Sequence, residues 1–191
     1  MHARESLRRR IPREAGFTLI EIQVVVLLIA IVGGMSVFGL QSALPSVRGD
    51  AAADHILSAM RVARDLAITQ RRRVEVRFTP PNQIAMVRID PNSESIVASV
   101  ALESNPTFTL TAGLPDTPDA FGNNMAVDFG GAAIIRFNED GTLSDGGGIP
   151  LNGTVFIGQN GQPRGSRAVT ITGVTGRAQV YGWDGRQWQE R

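Results

Sequence analysis

The chain offers few of the side chains that catalysis or metal binding usually needs. It contains no cysteine, and its histidines are His2 and His55. Thiolate–imidazole pairs and clusters of several histidines are therefore excluded. Two carboxylates could in principle share acid–base work, but most acidic residues fall in predicted turns and their spacing brings none together. We expect no catalytic residue, no cofactor and no resident metal, and we place His55 on the surface of a helix.

Two short polar segments resemble the beginning of a Ca²⁺ loop. Asp90-Pro91-Asn92-Ser93-Glu94 alternates oxygen-bearing side chains, as Ca²⁺ ligands do. The segment lacks the glycine and the distal glutamate of a complete EF-hand loop, and a hairpin turn explains the same residues. Asn138-Glu139-Asp140-Gly141 is likewise predicted to be a tight turn.

Arginine and aromatic side chains are mixed in the C-terminal segment 160–191. Single-strand nucleic-acid binders combine cations with stacking rings in this way, although the same rings are also typical of a core or a subunit contact. Residues 17–191 hold 14 arginines and 16 acids, so overall charge does not indicate a nucleic-acid binder. A second basic run, Arg71-Arg72-Arg73, is predicted at a helix end, where cations oppose the helix dipole. The rings and cations of the C-terminal segment are Tyr181, Trp183, Trp188, Arg164, Arg167, Arg177, Arg186 and Arg191.

The N-terminal part of the chain is predicted to form an apolar helix over residues 17–40. Of these 24 residues, 17 are strongly apolar, and Val24 to Val32 is an unbroken apolar run. A helix of this length extends about 36 Å, enough to cross a hydrocarbon core of about 30 Å. The preceding arginine-rich leader is expected to stay in the cytoplasm, which places the rest of the chain on the other side of the membrane.

One acidic residue interrupts this apolar helix. Glu21 lies near its start, where a carboxylate costs about 2.5–3.5 kcal/mol on membrane-insertion scales and requires a partner. The junction between Gly16 and Phe17 separates the charged leader from the apolar run. An ordinary signal peptide is cut after its apolar region, whereas here the processing point is predicted before it.

These residues resemble the type III signal of type IV pilins and type II secretion pseudopilins. The resemblance rests on the segment from Arg13 to Glu21, which reads REAGFTLIE. It implies that a prepilin peptidase cuts between Gly16 and Phe17 and methylates the amino group of Phe17. It also implies that Glu21 pairs with the terminal amine of a neighbouring subunit during assembly.

The remainder of the chain predicts an α+β fold. Pro45 and Gly49 could interrupt the first helix, and an amphipathic helix is expected over about 50–72. Its apolar face is predicted to cover an antiparallel sheet. From Arg73 the periodicity changes to two, which indicates strands. The predicted face comprises Ala53, Ile56, Met60, Ala63 and Ala67, and the later strands are 96–102, 108–110, 126–129, 134–137, 153–157, 168–172 and 177–183.

Several stretches resemble the GspH/FimT-like branch of minor pilins. They are Ala63-Arg64, the turn from Arg136 to Thr142, Val169-Thr170-Ile171 and Gly176-Arg177. In DNA-uptake members of this branch a Gly-Arg-x-Arg motif contacts DNA, and here the second arginine is replaced by Gln179. The resemblance thus implies at most a DNA site at Arg177, Gln179 and Arg186, and we favour a structural role for this segment.

The sequence therefore predicts three parts: a leader over 1–16, a transmembrane or filament-core helix over 17–40, and a periplasmic pilin-like domain over 41–191. The resemblance implies a minor, tip-associated pseudopilin of a type II secretion system, held in the bacterial inner membrane and assembled into a pseudopilus. Its implied partners are the prepilin peptidase, other major and minor pilins or pseudopilins, and the inner-membrane assembly platform. One alternative is a minor pilin of a type IV pilus that acts in assembly or in DNA uptake. A second is an anchored binding module that never polymerises.

Overall fold

The computed structural model describes residues 16–103, 105–122, 124–159 and 161–191, without the side chains of 37–40 and 42. Most of the predicted leader lies outside these residues. The chain divides into two compact units, residues 1–41 and 42–191, and the boundary falls within the first helix.

Helix α1 is longer than the sequence suggested, because it runs without a break from Leu19 to Gln70. Pro45 and Gly49 lie inside it rather than between two helices. Gly49 is required by packing: a Cβ there would lie 2.3 Å from the carbonyl oxygen of Gly165. The helix ends before Arg71, whose φ of 49° is left-handed and stops helical pairing. The three arginines at 71–73 therefore follow the last helical turn instead of forming it.

The first unit contains the apolar part of α1. The stretch Leu19–Ser36 has a mean hydropathy of 2.3 and is long and apolar enough to cross a membrane. Its large apolar side chains are exposed in the single chain. An exposed apolar helix of this length requires lipid or other helices around it.

The second unit is built from antiparallel strands that pack on the remainder of α1. Within the described residues the strands are β1 Arg73–Thr79, β2 Gln83–Asp90, β3 Ser93–Ala101, β4 Thr107–Phe108, β5 Val127–Asp128, β6 Arg136–Phe137, β7 Leu143–Ser144, β8 Gly153–Gly158, β9 Arg167–Thr172, β10 Arg177–Trp183 and β11 Trp188–Glu190. One sheet has the order β3-β2-β1-β6-β7, and the other has the order β11-β10-β9-β8-β4, with β5 also paired to β8.

The predicted small-residue face of α1 forms one side of the core. Ala53, Ile56, Met60, Ala63 and Ala67 are all buried, each at most 1% exposed. They pack with inward-facing residues of both sheets in one cluster. The α+β architecture predicted from the sequence, a long helix packed on antiparallel sheets, is confirmed.

Two short strands were missed in the sequence. Strand β7 has two residues and β11 has three, and each is paired to a neighbouring strand. Segments this short carry little periodicity, so only the folded chain reveals them. Strand β11 shortens the exposed edge of β10, because it pairs with Tyr181, Gly182 and Trp183.

Candidate functional site

The N-terminal candidate site lies at the start of α1. The Oγ1 atom of Thr18 accepts a hydrogen bond from the backbone N–H of Glu21 at 3.3 Å, so Thr18 caps the helix and Glu21 stands in its first turn. Phe17 precedes this cap and is 78% exposed. No ion pair is formed by the Glu21 carboxylate within the described part of the chain. The geometry thus presents an acid in the first turn of a helix whose apolar surface is exposed.

The C-terminal candidates are divided between two places. Arg177 and Gln179 lie on β10 and line an open groove of about 590 Å³. Arg186 lies in the β10–β11 turn, outside that groove, where its backbone N–H donates to Asp184. The side chains that α1 adds to the groove were not predicted from the sequence, whereas Arg191 was named among the cations of the C-terminal segment. We call this feature the arginine groove; its charged lining residues are Arg61, Arg64, Asp65, Arg177, Glu190 and Arg191.

The wall of the arginine groove is held by Arg64. Its Nε donates to the carbonyl oxygen of Gly141 at 3.1 Å, although the two residues are 77 positions apart. Gly176, with φ +63°, lies against both: a Cβ there would be 2.1 Å from the Gly141 oxygen and 2.8 Å from Arg64 Nε. Three stretches that resemble the GspH/FimT-like branch therefore meet at one point.

The groove has a net positive charge, but some of its polar side chains already form hydrogen bonds with each other. The Nε2 atom of Gln179 donates to Glu190 at 2.7 Å, so this amide is occupied within the chain. Arg61 and Arg177 make no side-chain hydrogen bond or ion pair within the residues that the structure describes. These two guanidinium groups are the ones free to meet an anion.

The C-terminal rings do not form a stacking platform. Tyr181 and Trp188 are buried with Phe156 and Ala168, and their polar atoms are satisfied. The hydroxyl of Tyr181 donates to Asp119 at 2.9 Å, and Nε1 of Trp188 donates to the carbonyl oxygen of Pro115 at 2.8 Å. Burial, together with the hydrogen bond to Asp119, raises the pKa of Tyr181 to about 12.

Arg167 is also not an exposed cation of the predicted basic segment, because its side chain is buried. Only 1% of it is exposed, and its Nε donates to Asp50 at 2.6 Å. Its Nη2 donates to the carbonyl and hydroxyl oxygens of Ser46 at 3.1 and 2.8 Å. Burial opposes ionisation of Asp50, but hydrogen bonds and charge from Arg167 and Arg191 hold the pKa of this carboxyl below its usual range. Arg167 joins the helix to the second sheet and is not a free surface cation.

The segment considered for Ca²⁺ forms the predicted hairpin between β2 and β3. The Oδ2 atom of Asp90 is 3.0 Å from Arg88 Nε, and Glu94 is 2.9 Å from Arg77 Nη2. Arginines thus neutralise the carboxylates that a cation would need. Asp140, in the second predicted turn, accepts instead from the backbone and side chain of Thr142, which lowers its pKa.

Two crystal structures of the type IV minor pilin FimU from Pseudomonas aeruginosa are similar to the chain. One is 19% identical, with a TM-score of 0.47 over 69% of this chain and 90% of FimU. The other is 17% identical, with a TM-score of 0.49 over 73% of this chain and 91% of FimU. No curated protein matches the sequence significantly.

A family model, described as type II transport protein GspH, matches residues 52–176. The matched region begins in the small-residue face of α1 and ends at Gly176 in the arginine groove. It includes strands β1 to β9 and the meeting point of Arg64, Gly141 and Gly176. The family consists of pilin-like structural subunits rather than enzymes. The chain belongs to the GspH family of pilin-like proteins.

Proposed function

We propose that the chain is a minor, tip-associated pseudopilin of a type II secretion system. The observation that carries this function is Glu21, an acid that forms no ion pair with any described residue, on a helix whose apolar side chains are exposed. In a filament, packed helices would cover the apolar surface and a neighbouring subunit would neutralise the acid. The family match over residues 52–176 supports the same role.

In our proposal, cleavage of the leader creates the positive charge that pairs with Glu21. A prepilin peptidase cuts between Gly16 and Phe17, and the new amino group of Phe17 is methylated. The amine remains cationic and meets Glu21 of the adjacent subunit, which fixes the axial register of the two helices. Before assembly, the leader keeps the N-terminus cytoplasmic and the globular unit is periplasmic, with the helix in the inner membrane. The assembly platform then transfers the chain into the pseudopilus.

A second candidate is a type IV pilus subunit that binds DNA. The specific observation in its favour is the arginine groove, where the side chains of Arg61 and Arg177 bond to no other described residue. Phosphate groups prefer such guanidinium donors. Against it, Gln179 replaces a second arginine of the motif and is bonded to Glu190. Of the rings that could stack on bases, Tyr181 and Trp188 are buried, and Trp183 is half-buried and packs edge-on against Trp188.

Deleting the gene in its host separates the two candidates. The secretion proposal predicts loss of exported type II substrates from the medium, restored by a plasmid copy, with normal pili and DNA uptake. Loss of pili or of DNA uptake, with secretion intact, would overturn it in favour of the second candidate.

A further inference from the structure

The outer strands of the two sheets differ greatly in length. Strands β4, β5, β7 and β11 have two or three residues each, whereas β3, from Ser93 to Ala101, has nine. Strand β3 forms one edge of the first sheet, and among the described residues its strand partner is β2 alone. An edge strand leaves a row of backbone N–H and C=O groups free to pair with another strand. Strand β3 is therefore the long open edge in the part of the chain that the structure describes.

The alternation of hydrogen bonds along β3 shows which of its backbone groups point outward. The N–H of Leu102, directly after the strand, donates to the carbonyl oxygen of Asn82 at 2.9 Å. In an antiparallel pair every second residue bonds to the neighbouring strand, and the residues between direct N–H and C=O away from it. Ser99 and Ala101 therefore direct these groups away from β2. Both residues are exposed, and within the described residues β3 forms backbone hydrogen bonds with β2 only.

Strand β3 also lacks most of the features that prevent pairing at exposed edges. Charged side chains and prolines usually serve this purpose, but residues 95–101 read SIVASVA and contain neither. Ile96 is 73% exposed and Val97 is 40% exposed. One protective feature is present, because the register with β2 skips Val97 and forms a β-bulge. The bulge separates two regular stretches, 93–96 and 98–101. An uncharged edge with exposed apolar side chains is suited to accept a strand from another chain.

We propose that β3 pairs in antiparallel orientation with β3 of a second copy of this chain. Residues 95–101 carry no charge, so pairing centred on this stretch places no like charges opposite each other. Two equal strands also satisfy each other's outward backbone groups. The contact is two-fold and therefore closed: both long edges are used, and the joined sheet ends on each side in the two-residue strand β7. This contact involves no residue of α1 and is independent of the role proposed for Glu21.

Cysteine crosslinking of the full chain in detergent tests this contact, because the chain contains no cysteine of its own. Ser99→Cys and Ala101→Cys each place one thiol on the edge, and a short bismaleimide reagent joins two such thiols. Gln189→Cys, at an exposed position of the short edge strand β11, is the matched control. With micelles in excess over chains, both β3 variants should give a covalent dimer and the control should stay monomeric. Equal dimer yields at all three positions, or no dimer from either β3 variant, would overturn the proposal.

Further substitutions in the Ala101→Cys chain test whether the edge itself makes the contact. Ser99→Pro removes an outward N–H without removing a hydrogen bond to β2, and edge strands tolerate proline. Ile96→Lys adds a charge of the kind that protects exposed edges. Each should abolish the dimer while circular dichroism shows an unchanged fold.

Glu21→Ala in the same chain separates this contact from association through α1. The dimer should persist, because the proposed contact lies in the globular unit. A dimer that survives both β3 substitutions, or that is lost with Glu21→Ala, contradicts the assignment. Crosslinking in host membranes to a different protein, with no dimer, would assign the edge to that protein and overturn the proposal as well.

Discussion

The Nε atom of Arg167 donates to Oδ1 of Asp50 at 2.6 Å, although 117 residues separate the two in the chain. The arginine is buried, whereas the side chain of Asp50 is 33% exposed and also pairs with Arg191. The guanidinium group supplies donors to Ser46 as well, so one side chain connects α1 to β9. Removing a buried partner of this kind leaves several acceptors unpaired.

We therefore expect Arg167→Ala to lower the free energy of unfolding by about 3 kcal/mol, because it removes a buried cation from a hydrogen-bonded network. Urea unfolding of the detergent-solubilised chain measures the change. Arg164→Ala is the matched control, since that arginine is exposed, and it should stay within about 0.5 kcal/mol of the unsubstituted chain. Equal effects of the two substitutions would contradict the role assigned to Arg167.

Lowering the pH should weaken the contact between Asp50 and Arg167. The pKa of Asp50 in the folded chain lies below its usual value of 3.8, so the folded state favours the ionised form. This contribution to stability is complete above about pH 4 and is lost as the pH falls further. Urea midpoints between pH 7 and pH 2 should therefore fall more in the unsubstituted chain than in Asp50→Asn. Parallel pH profiles would show that the contact is not formed in solution.

Alkaline titration isolates Tyr181, because it is the single tyrosine of the chain. Its pKa is raised from 10.0 to about 12 in the folded state. The folded state thus retains its proton longer, and the stability due to this group is lost as the pH rises from about 10 to about 12. Tyrosinate absorbance should appear near pH 12 in the folded chain and near pH 10 in denaturant. Titration near pH 10 in both would mean that the ring is accessible.

Gly176 tests the packing at the wall of the arginine groove. Gly176→Ala combines a left-handed φ with a Cβ only 2.1 Å from the carbonyl oxygen of Gly141. Gly113→Ala has a similar φ of +83° but open space around the added carbon. Gly113→Ala, the control, should lower the free energy of unfolding by about 1–2 kcal/mol, the usual cost of a left-handed φ for a residue with a side chain. Gly176→Ala should lower it clearly more, and urea unfolding measures both changes. Similar costs would mean that the turn can move away from Gly141.

The arginine groove gives a separate prediction on nucleic acid. On the secretion proposal, double-stranded DNA binds no more tightly than a nonspecific partner, with a dissociation constant of about 10⁻⁴–10⁻⁶ M at physiological salt. Arg177→Ala should then have no greater effect than Arg186→Ala, outside the groove. Fluorescence anisotropy across a salt series measures both. Tight binding that depends on Arg177 and not on Arg186 would favour the DNA-binding candidate.

The spacing of apolar residues predicted the fold wherever that spacing is regular. The buried face of α1 followed from apolar residues spaced by three and four, and β1 followed from strict alternation after Arg73. The sequence did not predict that the helix continues through Pro45, because a proline ordinarily ends a helix. There, the contacts of Gly49 with Gly165 and of Ser46 with Arg167 hold the helix in place. Those contacts join residues more than a hundred positions apart.

The candidate sites were likewise predicted only in part, because they combine residues that are far apart in the sequence. Arg177 and Gln179 were identified from a motif, but the rest of the arginine groove comes from α1 and from Arg191 and required the folded chain. Charge counting also placed Arg167 in a basic segment, since composition does not report burial.

The role proposed for Glu21 is best measured by incorporation of the chain into filaments. In the proposed function, Glu21 pairs with a neighbouring subunit in the filament core. We predict that Glu21→Ala and Glu21→Gln reduce the chain in purified pseudopili by about tenfold or more, with unchanged amounts in the membrane. Gln23→Ala, in the same exposed stretch of α1, is the control and should assemble normally. Glu21→Ala present in pseudopili at the level of the unsubstituted chain would contradict the account.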